Sequence, residues 1–386
     1  MLLQPLPGAA APSDWFSDDF ETGTLRVSDT PGGRWDSTGA SSPNTLTSGT
    51  AGAHRGQYGL TVVDRTSNAG SQANANAVRD ALTQEFFIRT WLRLRNVSTP
   101  GSMVVLQALP AKVELRLLAP GPIWELAGRN GSDQATYVSF HGSRVEEERW
   151  YLVEIHARGL GTAAGEARLW VDGVEQGALS GRDWRGTNYV MNRLVVGEPW
   201  ADKGEFIGTL DFDDVRVSTT PMASRLELRR PGDGETSSGC IAVDVSLQSS
   251  VSEAPAPAPY TMMVALAVTE GAGRFHMDAA CRFPVPGALL RAGASEQRVY
   301  FRPGGTGGTA TVKATHLDFL SATLPLEGLV PPEENKDPDE DAEGPWTTDL
   351  GCTSAPGALV ALPVLVWPWL RGGRRRHTRT RPHVVD

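Results

Sequence analysis

Ile88-Arg89-Thr90-Trp91-Leu92-Arg93-Leu94 alternates apolar and polar residues with a period of two, which is the pattern of a half-buried β-strand. The same alternation recurs along most of the chain, and no segment of useful length shows the period of an amphipathic helix. The 42 glycines and 27 prolines among 386 residues are normal for a protein of strands and turns. The sequence therefore predicts an all-β protein.

Residues 14–220 are predicted to form the first domain. Asp172-Gly173, followed by Val174, is the signal of a tight hairpin between two of its strands. About 200 residues of antiparallel strands fit one sandwich or jelly roll. The further strands expected here are Val113–Leu117, Tyr151–Ala157, Ala167–Val171, Arg193–Gly197 and Leu210–Val217.

Several segments of this domain, taken in order, resemble the concanavalin A-like, laminin-G-like jelly roll. Two of its elements have counterparts here: a "W-x-D-G" strand and turn in Trp170–Gly173, and a closing "G-x-l-D-D-v-r-v" strand in Gly208–Val217. The resemblance implies the fold and leaves the function open, because this fold hosts lectins, adhesion modules and glycosidases. Further matching segments are Asp18–Gly23, Arg149–Ile155 and Val195–Gly197.

Residues 225–330 form a second predicted domain. At about 105 residues it fits a small β-sandwich of the immunoglobulin-like kind. The segment Ala292–Arg302 resembles bacterial Ig-like modules of surface adhesins. Its expected strands are Cys240–Leu247, Met263–Val268, Gln297–Arg302 and Ala310–Ala314, the last two joined by the Gly-rich turn Gly304–Gly308.

The end of the chain has three parts. Residues 331–350 are an acidic linker containing Pro331, Pro332 and Pro338, and the uncharged run 355–370 is followed by an arginine cluster and a basic tail, 377–386. Gly351-Cys352 together with that run and cluster resembles the MYXO-CTERM sorting tag of myxobacterial surface proteins. The resemblance implies processing at Gly351 and Cys352 within the segment 351–376, contact with a sorting machinery and the membrane, and display at the cell surface or outer membrane. A plain membrane anchor and an apolar disordered tail remain alternatives.

Export has two further signals. Residues 1–13 are expected to be disordered or the remnant of a signal peptide, because Ala9-Ala10-Ala11 fits a cleavage site but the preceding apolar stretch is short. Cys240 and Cys281 lie in one segment, as expected of one disulfide in an exported protein, although two separate buried thiols are an alternative. The net charge of −9 implies no general affinity for nucleic acid.

Carboxylates near the two ends of the first domain are candidate calcium ligands. Asp18, Asp19 and Glu21 lie near the N-terminal edge of the domain, Asp211 and Asp213 lie on its last strand, and first and last strands are neighbours in such folds. Their hard oxygens would suit a structural Ca²⁺. The alternative is a set of charges that protect an edge strand from aggregation. By alternation, Asp211 and Asp213 should face one side of the strand, and Phe212 and Asp214 the other.

The expected function is binding. The chain lacks the E-x-D-x-x-E strand of laminarinase-like glycosidases, a Gly-x-Ser-x-Gly elbow and histidine pairs at zinc-ligand spacing. Loop-like segments instead carry rings and polar neighbours that could bind sugars, although these rings could also cap the core: Asp183, Trp184, Tyr189, Trp200 and Asp202. We therefore expect a non-enzymatic surface protein that binds carbohydrate or extracellular matrix; the alternative is a secreted polysaccharide lyase or glycoside hydrolase with an unrecognised site.

Overall fold

The computed structural model describes residues 15–25, 35–66, 68, 70–83, 85–98, 100–130, 133–160, 162–180, 190–199, 207–232, 239–304 and 308–327. Within them the chain forms 23 strands and one short 3-10 helix, Thr50–Gly52. The first fifteen strands are β1 (Phe16–Asp18), β2 (Ser37–Ala40), β3 (Thr45–Gly49), β4 (Gly59–Asp64), β5 (Ala73–Thr83), β6 (Glu85–Arg95), β7 (Gly101–Pro110), β8 (Val113–Ala119), β9 (Ile123–Asn130), β10 (Asp133–Arg144), β11 (Trp150–Arg158), β12 (Glu166–Val171), β13 (Val174–Leu179), β14 (Val190–Glu198) and β15 (Gly208–Ser218). The remaining eight are β16 (Arg225–Arg229), β17 (Ile241–Gln248), β18 (Met262–Glu270), β19 (Gly273–His276), β20 (Gly287–Leu290), β21 (Glu296–Pro303), β22 (Thr309–His316) and β23 (Phe319–Glu327).

Strands β1 to β15 form a two-sheet jelly-roll sandwich, which confirms the all-β prediction. One sheet has the order β13-β12-β11-β6-β15-β4-β3, with β1 also paired to β15. The other has the order β10-β9-β8-β7-β14-β5-β2. We call the first the covered sheet and the second the groove sheet.

The core between the two sheets follows from the alternation of their strands. On β6, Phe86, Ile88 and Leu92 are buried in it, whereas Arg89 and Trp91 face away from it. On the groove sheet, Trp124 is fully buried. Apolar surface removed from water contributes roughly 25 cal/mol per Å², so the inward halves of these strands hold the sheets together.

The hairpin predicted at Asp172-Gly173 is confirmed. It joins β12 to β13, and both residues have positive φ, 49° and 75°. Such φ values at both central positions define the turn that matches the strand twist, and Asp-Gly adopts them readily.

Strands β16 to β23 form one eight-stranded sheet that curls into a nearly closed barrel. Its order is β19-β21-β17-β16-β23-β22-β18-β20, and its two halves join at one parallel contact, Arg225 with Leu320. A second hydrophobic cluster fills its interior, built from residues between Ala223 and Leu326. We call this body the curled sheet. The finer expectation of an immunoglobulin-like sandwich stays a prediction.

Cys240 and Cys281 form the expected disulfide. It ties the start of β17 to the loop after β19, across 41 positions of sequence. Because disulfides persist in oxidising surroundings, the bond indicates an extracellular or secreted protein. No helix in the described part of the chain is long and apolar enough to cross a membrane.

The curled sheet packs on the outer face of the covered sheet, and the two bodies belong to one compact unit. Arg55, in the loop before β4, pairs with Asp318 of the curled sheet at 2.7 Å. The guanidinium of Arg89 lies 5.4 Å from the ring centroid of Phe319. The jelly roll therefore has one face covered by protein and one face, on the groove sheet, that carries a polar cavity.

Candidate functional site

A polar groove crosses the outer face of the groove sheet. Its volume is about 570 Å³, within the range of small-ligand sites. It spans β2, β5, β14, β7 and β8, so an elongated ligand could contact several strands at once. Its lining includes Ser37, Asn74, Asn76, Gln107, Lys112, Glu114, Arg116 and Arg193.

Strand alternation places these side chains in the groove. On β5, Ala73, Ala75 and Ala77 are fully buried in the core, so Asn74 and Asn76 face the groove. On β8, Val113 and Leu115 take the core positions and Glu114 the groove position. The same period of two that builds the core therefore builds the polar face.

The floor of the groove is a fixed carboxylate. Glu114 is 2% exposed, and Gln107, opposite it on β7, donates a hydrogen bond from Nε2 to its Oε1. Arg116 donates from Nε to Oε2 at 3.0 Å. Hydrogen bonds to a charged group are among the stronger ones, so Glu114 holds the Gln107 amide and the Arg116 guanidinium in defined positions.

Amide groups form the wall on the β5 side. Asn76 donates from Nδ2 to the side-chain oxygen of Asn74 at 2.6 Å, and Asn74 donates to the backbone carbonyl of Glu198 at 2.9 Å. The carboxylate of Glu198 accepts from Asn44 at 3.1 Å. This chain of hydrogen bonds orders the side chains that a ligand would meet.

A second polar row lies one step along the strands. Arg116 pairs in register with Glu125 on β9, which pairs with His141 on β10. His141 is 56% exposed, and its Nε2 lies 3.7 Å from Glu125 Oε1. A histidine beside a carboxylate can accept or donate a proton, so this row adds a group capable of acid–base chemistry.

The predicted calcium ligands lie on neighbouring segments, but protein groups bind their carboxylates. As expected, β1 and β15 are neighbours, with Asp18 opposite Val215. Asp18 is buried and accepts hydrogen bonds from the backbone of Phe20 at 2.8 Å and from Trp35 Nε1 at 2.5 Å. Burial raises the pKa of Asp18 to about 6, against the opposing effect of these two bonds. Glu21 instead accepts the backbone N–H of Gln57 at 3.0 Å.

The carboxylates on β15 are engaged by protein groups. Asp211 is fully buried and accepts from Arg93 and Arg95, the latter at 2.6 Å. Asp213 accepts the backbone N–H groups of His54 at 2.8 Å and Arg55 at 3.0 Å. Burial raises the pKa of Asp213 to about 7, although these N–H groups lower it.

The expectation that Asp214 faces away from Asp213 is wrong. A register shift between Asp213 and Arg216 interrupts the ladder with β6, and Asp214 has a φ of 49°. The extra residue of this bulge turns the Asp214 carboxylate to the outer face, where it contacts Arg89 and Arg216 at 2.7 and 2.8 Å. Among the described residues no group of three or more His, Cys, Asp or Glu side chains could hold a metal ion. Bound calcium stays a prediction, which melting temperatures with calcium and with chelator would test.

The predicted sugar-binding residues all lie outside the described part of the chain: Asp183, Trp184, Tyr189, Trp200 and Asp202. Gly351 and Cys352 lie outside it as well. They belong to the segments on either side of β14, whose Arg193 and Val195 line the groove. Sequence reasoning missed the groove itself. Its signal was present in Val113–Leu117, where Glu114 and Arg116 are the polar half of the alternation that predicts the strand.

No protein-family model matches the sequence, and no curated protein matches it. Among solved structures, an endo-β-1,4-glucuronan lyase from the fungus Trichoderma reesei is similar over 54% of this chain and 96% of its own, at 15% identity and a TM-score of 0.43. An alginate lyase, Aly36B, is similar over 54% and 98%, at 9% identity and a TM-score of 0.40. The binding domain of Paraclostridial Mosquitocidal Protein 1 is similar over 76% of each chain, at 9% identity and a TM-score of 0.34. At these values the likeness concerns the β-sandwich fold alone.

Proposed function

We propose that the groove sheet binds an acidic polysaccharide. The observation that carries the proposal is the set of cations and amides aligned on one open face: Lys112, Arg116 and Arg193 with Asn74, Asn76 and Gln107. Guanidinium groups bind carboxylates, often with two parallel hydrogen bonds, and amides can both donate to and accept from sugar hydroxyls. A repeating uronate chain offers both kinds of partner at regular intervals.

The ordered floor supports binding of a rigid, hydroxyl-rich ligand. Because Glu114 and Glu198 already hold the neighbouring amides and Arg116, these side chains lose little conformational freedom when a ligand arrives. Such preorganisation raises affinity by lowering the entropic cost of binding. The Glu114 carboxylate itself faces Gln107 and Arg116, so it does not present a bare negative charge to the ligand.

The test compares acidic and neutral polysaccharides by calorimetry and affinity electrophoresis. We expect the protein to bind polyuronates more tightly than neutral glucans, and Arg193→Ala to lower the affinity by about tenfold, the loss of one charged hydrogen bond. Arg274→Ala is the matched control, because it removes the same charge from an exposed position on β19 of the curled sheet. Equal weakening by both variants, or no binding of any polyuronate, would contradict the proposal.

A second candidate is cleavage of the bound chain by β-elimination, favoured by the row of Arg116, Glu125 and His141. In that reaction His141 Nε2 takes the C5 proton of a uronate, the electron pair of that C–H bond forms the C4–C5 double bond, the bond from C4 to the glycosidic oxygen breaks, and the leaving oxygen takes a proton from water. Arg116 would neutralise the carboxylate that makes the C5 proton acidic. The product absorbs in the ultraviolet, so the reaction is followed directly. His141→Ala should abolish turnover and keep binding; no absorbance change with any polyuronate excludes the lyase.

We also propose that the protein works at the cell surface. The support is the disulfide in the curled sheet together with the Gly351-Cys352 tag, whose residues lie outside the described part of the chain. The acidic linker would hold the two domains off the envelope. Protease treatment of intact cells should remove the protein from the wild-type strain, and Cys352→Ala should change its location; a protein that stays inside the cell in both strains contradicts display.

A further inference from the structure

The joint between the covered sheet and the curled sheet contains a buried row of charged side chains. In register across the covered sheet lie Arg216 on β15, Arg89 on β6, Glu154 on β11 and Trp170 on β12. Arg89 and Glu154 are 1% and 3% exposed. Because they face outward from the jelly-roll core, it is the curled sheet that removes them from water.

Arg89 has its charge balanced on the jelly-roll side. Its Nη1 lies 2.7 Å from Asp214 Oδ2, and its Nη2 donates to the backbone carbonyl of Asp318 in the curled sheet. Although burial raises the pKa of Asp214, Arg216 and Arg89 hold it well below its usual range. Asp214 therefore keeps its negative charge and forms an ion pair with Arg89. The positive charge of Arg89 is thus balanced by Asp214 and not by Glu154.

Glu154 forms no ion pair of this kind with the described residues. Its Oε2 makes no hydrogen bond with the described residues, and the hydroxyls of Ser224 and Ser250, from the curled sheet, lie against the carboxyl group. These two serines are bonded to each other, Oγ to Oγ, at 2.8 Å. Burial raises the pKa of Glu154 to about 7, with Arg89 acting in the opposite direction. A protonated carboxyl group suits this position, because an ionised one would lie in a protein interior without a charge partner of its own.

The charged and titratable groups around Glu154 come from every element packed against it. Arg89, Asp214 and Arg216 belong to the jelly roll, and Arg225 and Asp318 to the curled sheet. Asp318 is fully buried and pairs with Arg55 at 2.7 Å; burial and Asp214 raise its pKa to about 6, and Arg55 acts in the opposite direction. The joint also contains two histidines whose pKa values burial lowers, His54 and His316.

We propose that this joint is a proton-dependent latch, in which the curled sheet stays docked on the jelly roll while Glu154 holds its proton and is released more readily when Glu154 ionises. When the two bodies separate, Glu154 meets water and returns toward its usual pKa. The docked form therefore binds a proton more tightly than the open form, so the extra stability of docking is fully present below the open-form pKa and is lost as the pH rises to about 7. Docking tightens on acidification.

Hydrogen exchange on the full chain tests the latch. The readout is the protection of the backbone amides of Ser250 and Leu320 in the curled sheet. These two residues lie against Gly173 of the jelly roll: a Cβ added at Gly173 would lie 3.1 Å from Ser250 Oγ and 2.9 Å from Leu320 Cδ1. After correction for the intrinsic exchange rate, we expect wild-type protection to fall by up to about tenfold per pH unit for each proton released, between pH ~5 and ~7. Small-angle scattering should show expansion of the molecule over the same range.

One variant isolates the group, and one controls for charge. Glu154→Gln is neutral at every pH and keeps the shape of the side chain, so it should flatten the pH dependence by one proton. Glu175→Gln, on β13 next to Trp170 in the same register row but 40% exposed, should leave it unchanged. Protection that does not change with pH in the wild-type chain, or that changes equally in the wild-type chain and Glu154→Gln, would overturn the latch.

Discussion

The two outer faces of the jelly roll are built from the same alternating strands and have opposite electrostatic designs. On the covered sheet, Arg89 and Asp214 are paired and almost fully buried beneath the curled sheet. On the groove sheet, Arg193 is exposed and Arg116 half-buried beside an open cavity. Charges that protein has covered must be matched within the protein, whereas charges at an open face can be matched by water and then by a ligand. The difference separates a joint from the open face that we propose as a binding surface.

The largest expected effect comes from breaking the match on the covered face. Arg89→Ala leaves the buried Asp214 carboxylate with Arg216 as its remaining cation and empties the space beside Phe319. Removing one partner of a buried pair costs about 3–5 kcal/mol, and we expect the lower end because Arg216 stays 2.8 Å from Asp214. Denaturant unfolding measures the loss. Arg193→Ala on the open face is the control and should change stability by less than about 0.5 kcal/mol; equal losses would mean that the two faces do not differ in this way.

Alanine substitutions at two glycines, one at the joint and one away from it, measure how tightly the jelly roll and the curled sheet pack. Gly173 has a φ of +75°, and a Cβ there would lie 2.9 Å from Leu320 Cδ1 of the curled sheet. Gly121, between β8 and β9, has a φ of +69° and nothing within 4 Å of such a Cβ. Alanine at either position costs the backbone strain of positive φ, about 1 kcal/mol. We expect Gly173→Ala to cost about 1 kcal/mol more than Gly121→Ala, because of crowding at the joint. Thermal unfolding of both variants gives the difference in stability. Identical midpoints would show that the joint accommodates the added methyl group without loss of stability.

The covered sheet was far easier to predict than the groove sheet. Its strands β6, β11, β12 and β15 carry mostly apolar residues on their core side, and the predicted segments match them within three residues. Strand β5 was missed. Its inward residues are Ala73, Ala75 and Ala77, and its outward ones include Asn74 and Asn76, all types that are uncommon in strands. The alanines lie in the core, and the asparagines line the groove.

Details that depend on contacts between distant residues could not be predicted at all. The bulge at Asp214 reverses one side chain, and its one trace in the sequence is the pair of consecutive polar residues Asp213 and Asp214. Arg89 looks like an ordinary outward-facing residue of a half-buried strand until the curled sheet is placed over it. The candidate site shares this limit: Glu114 and Arg116 were visible as polar positions, but their closeness to Asn76 and Arg193 follows from sheet order, with β14 and β7 between β5 and β8.

Raising the salt concentration should weaken ligand binding at the groove sheet more than it weakens the joint at the covered sheet. Exposed ion pairs are screened, because the Debye length falls from about 10 Å at 0.1 M salt to about 3 Å at 1 M, whereas buried pairs are screened much less. We expect polyuronate affinity to fall several-fold over this range, while the protection of the Ser250 and Leu320 amides at the joint changes little. Calorimetry and hydrogen exchange in the same buffers measure both. If salt loosens the joint as much as it weakens binding, the ion pairs of the covered face are open to solvent.

Among the glycine substitutions, the smallest expected effect on stability lies at Gly39 on β2, and this position probes the groove most directly. Gly39 pairs with Asn74, and a Cβ there would meet nothing within 4 Å. Gly39→Ala should therefore stabilise the fold by about 0.4–1 kcal/mol, chiefly by restricting the unfolded chain. Gly39→Trp should fold as well and place a large ring toward the cavity, lowering polyuronate affinity at unchanged melting temperature. The same tryptophan at Ser139, an exposed outward position on β10 away from the groove lining, is the control. If Gly39→Trp binds as the wild-type chain does, the ligand lies elsewhere on the molecule.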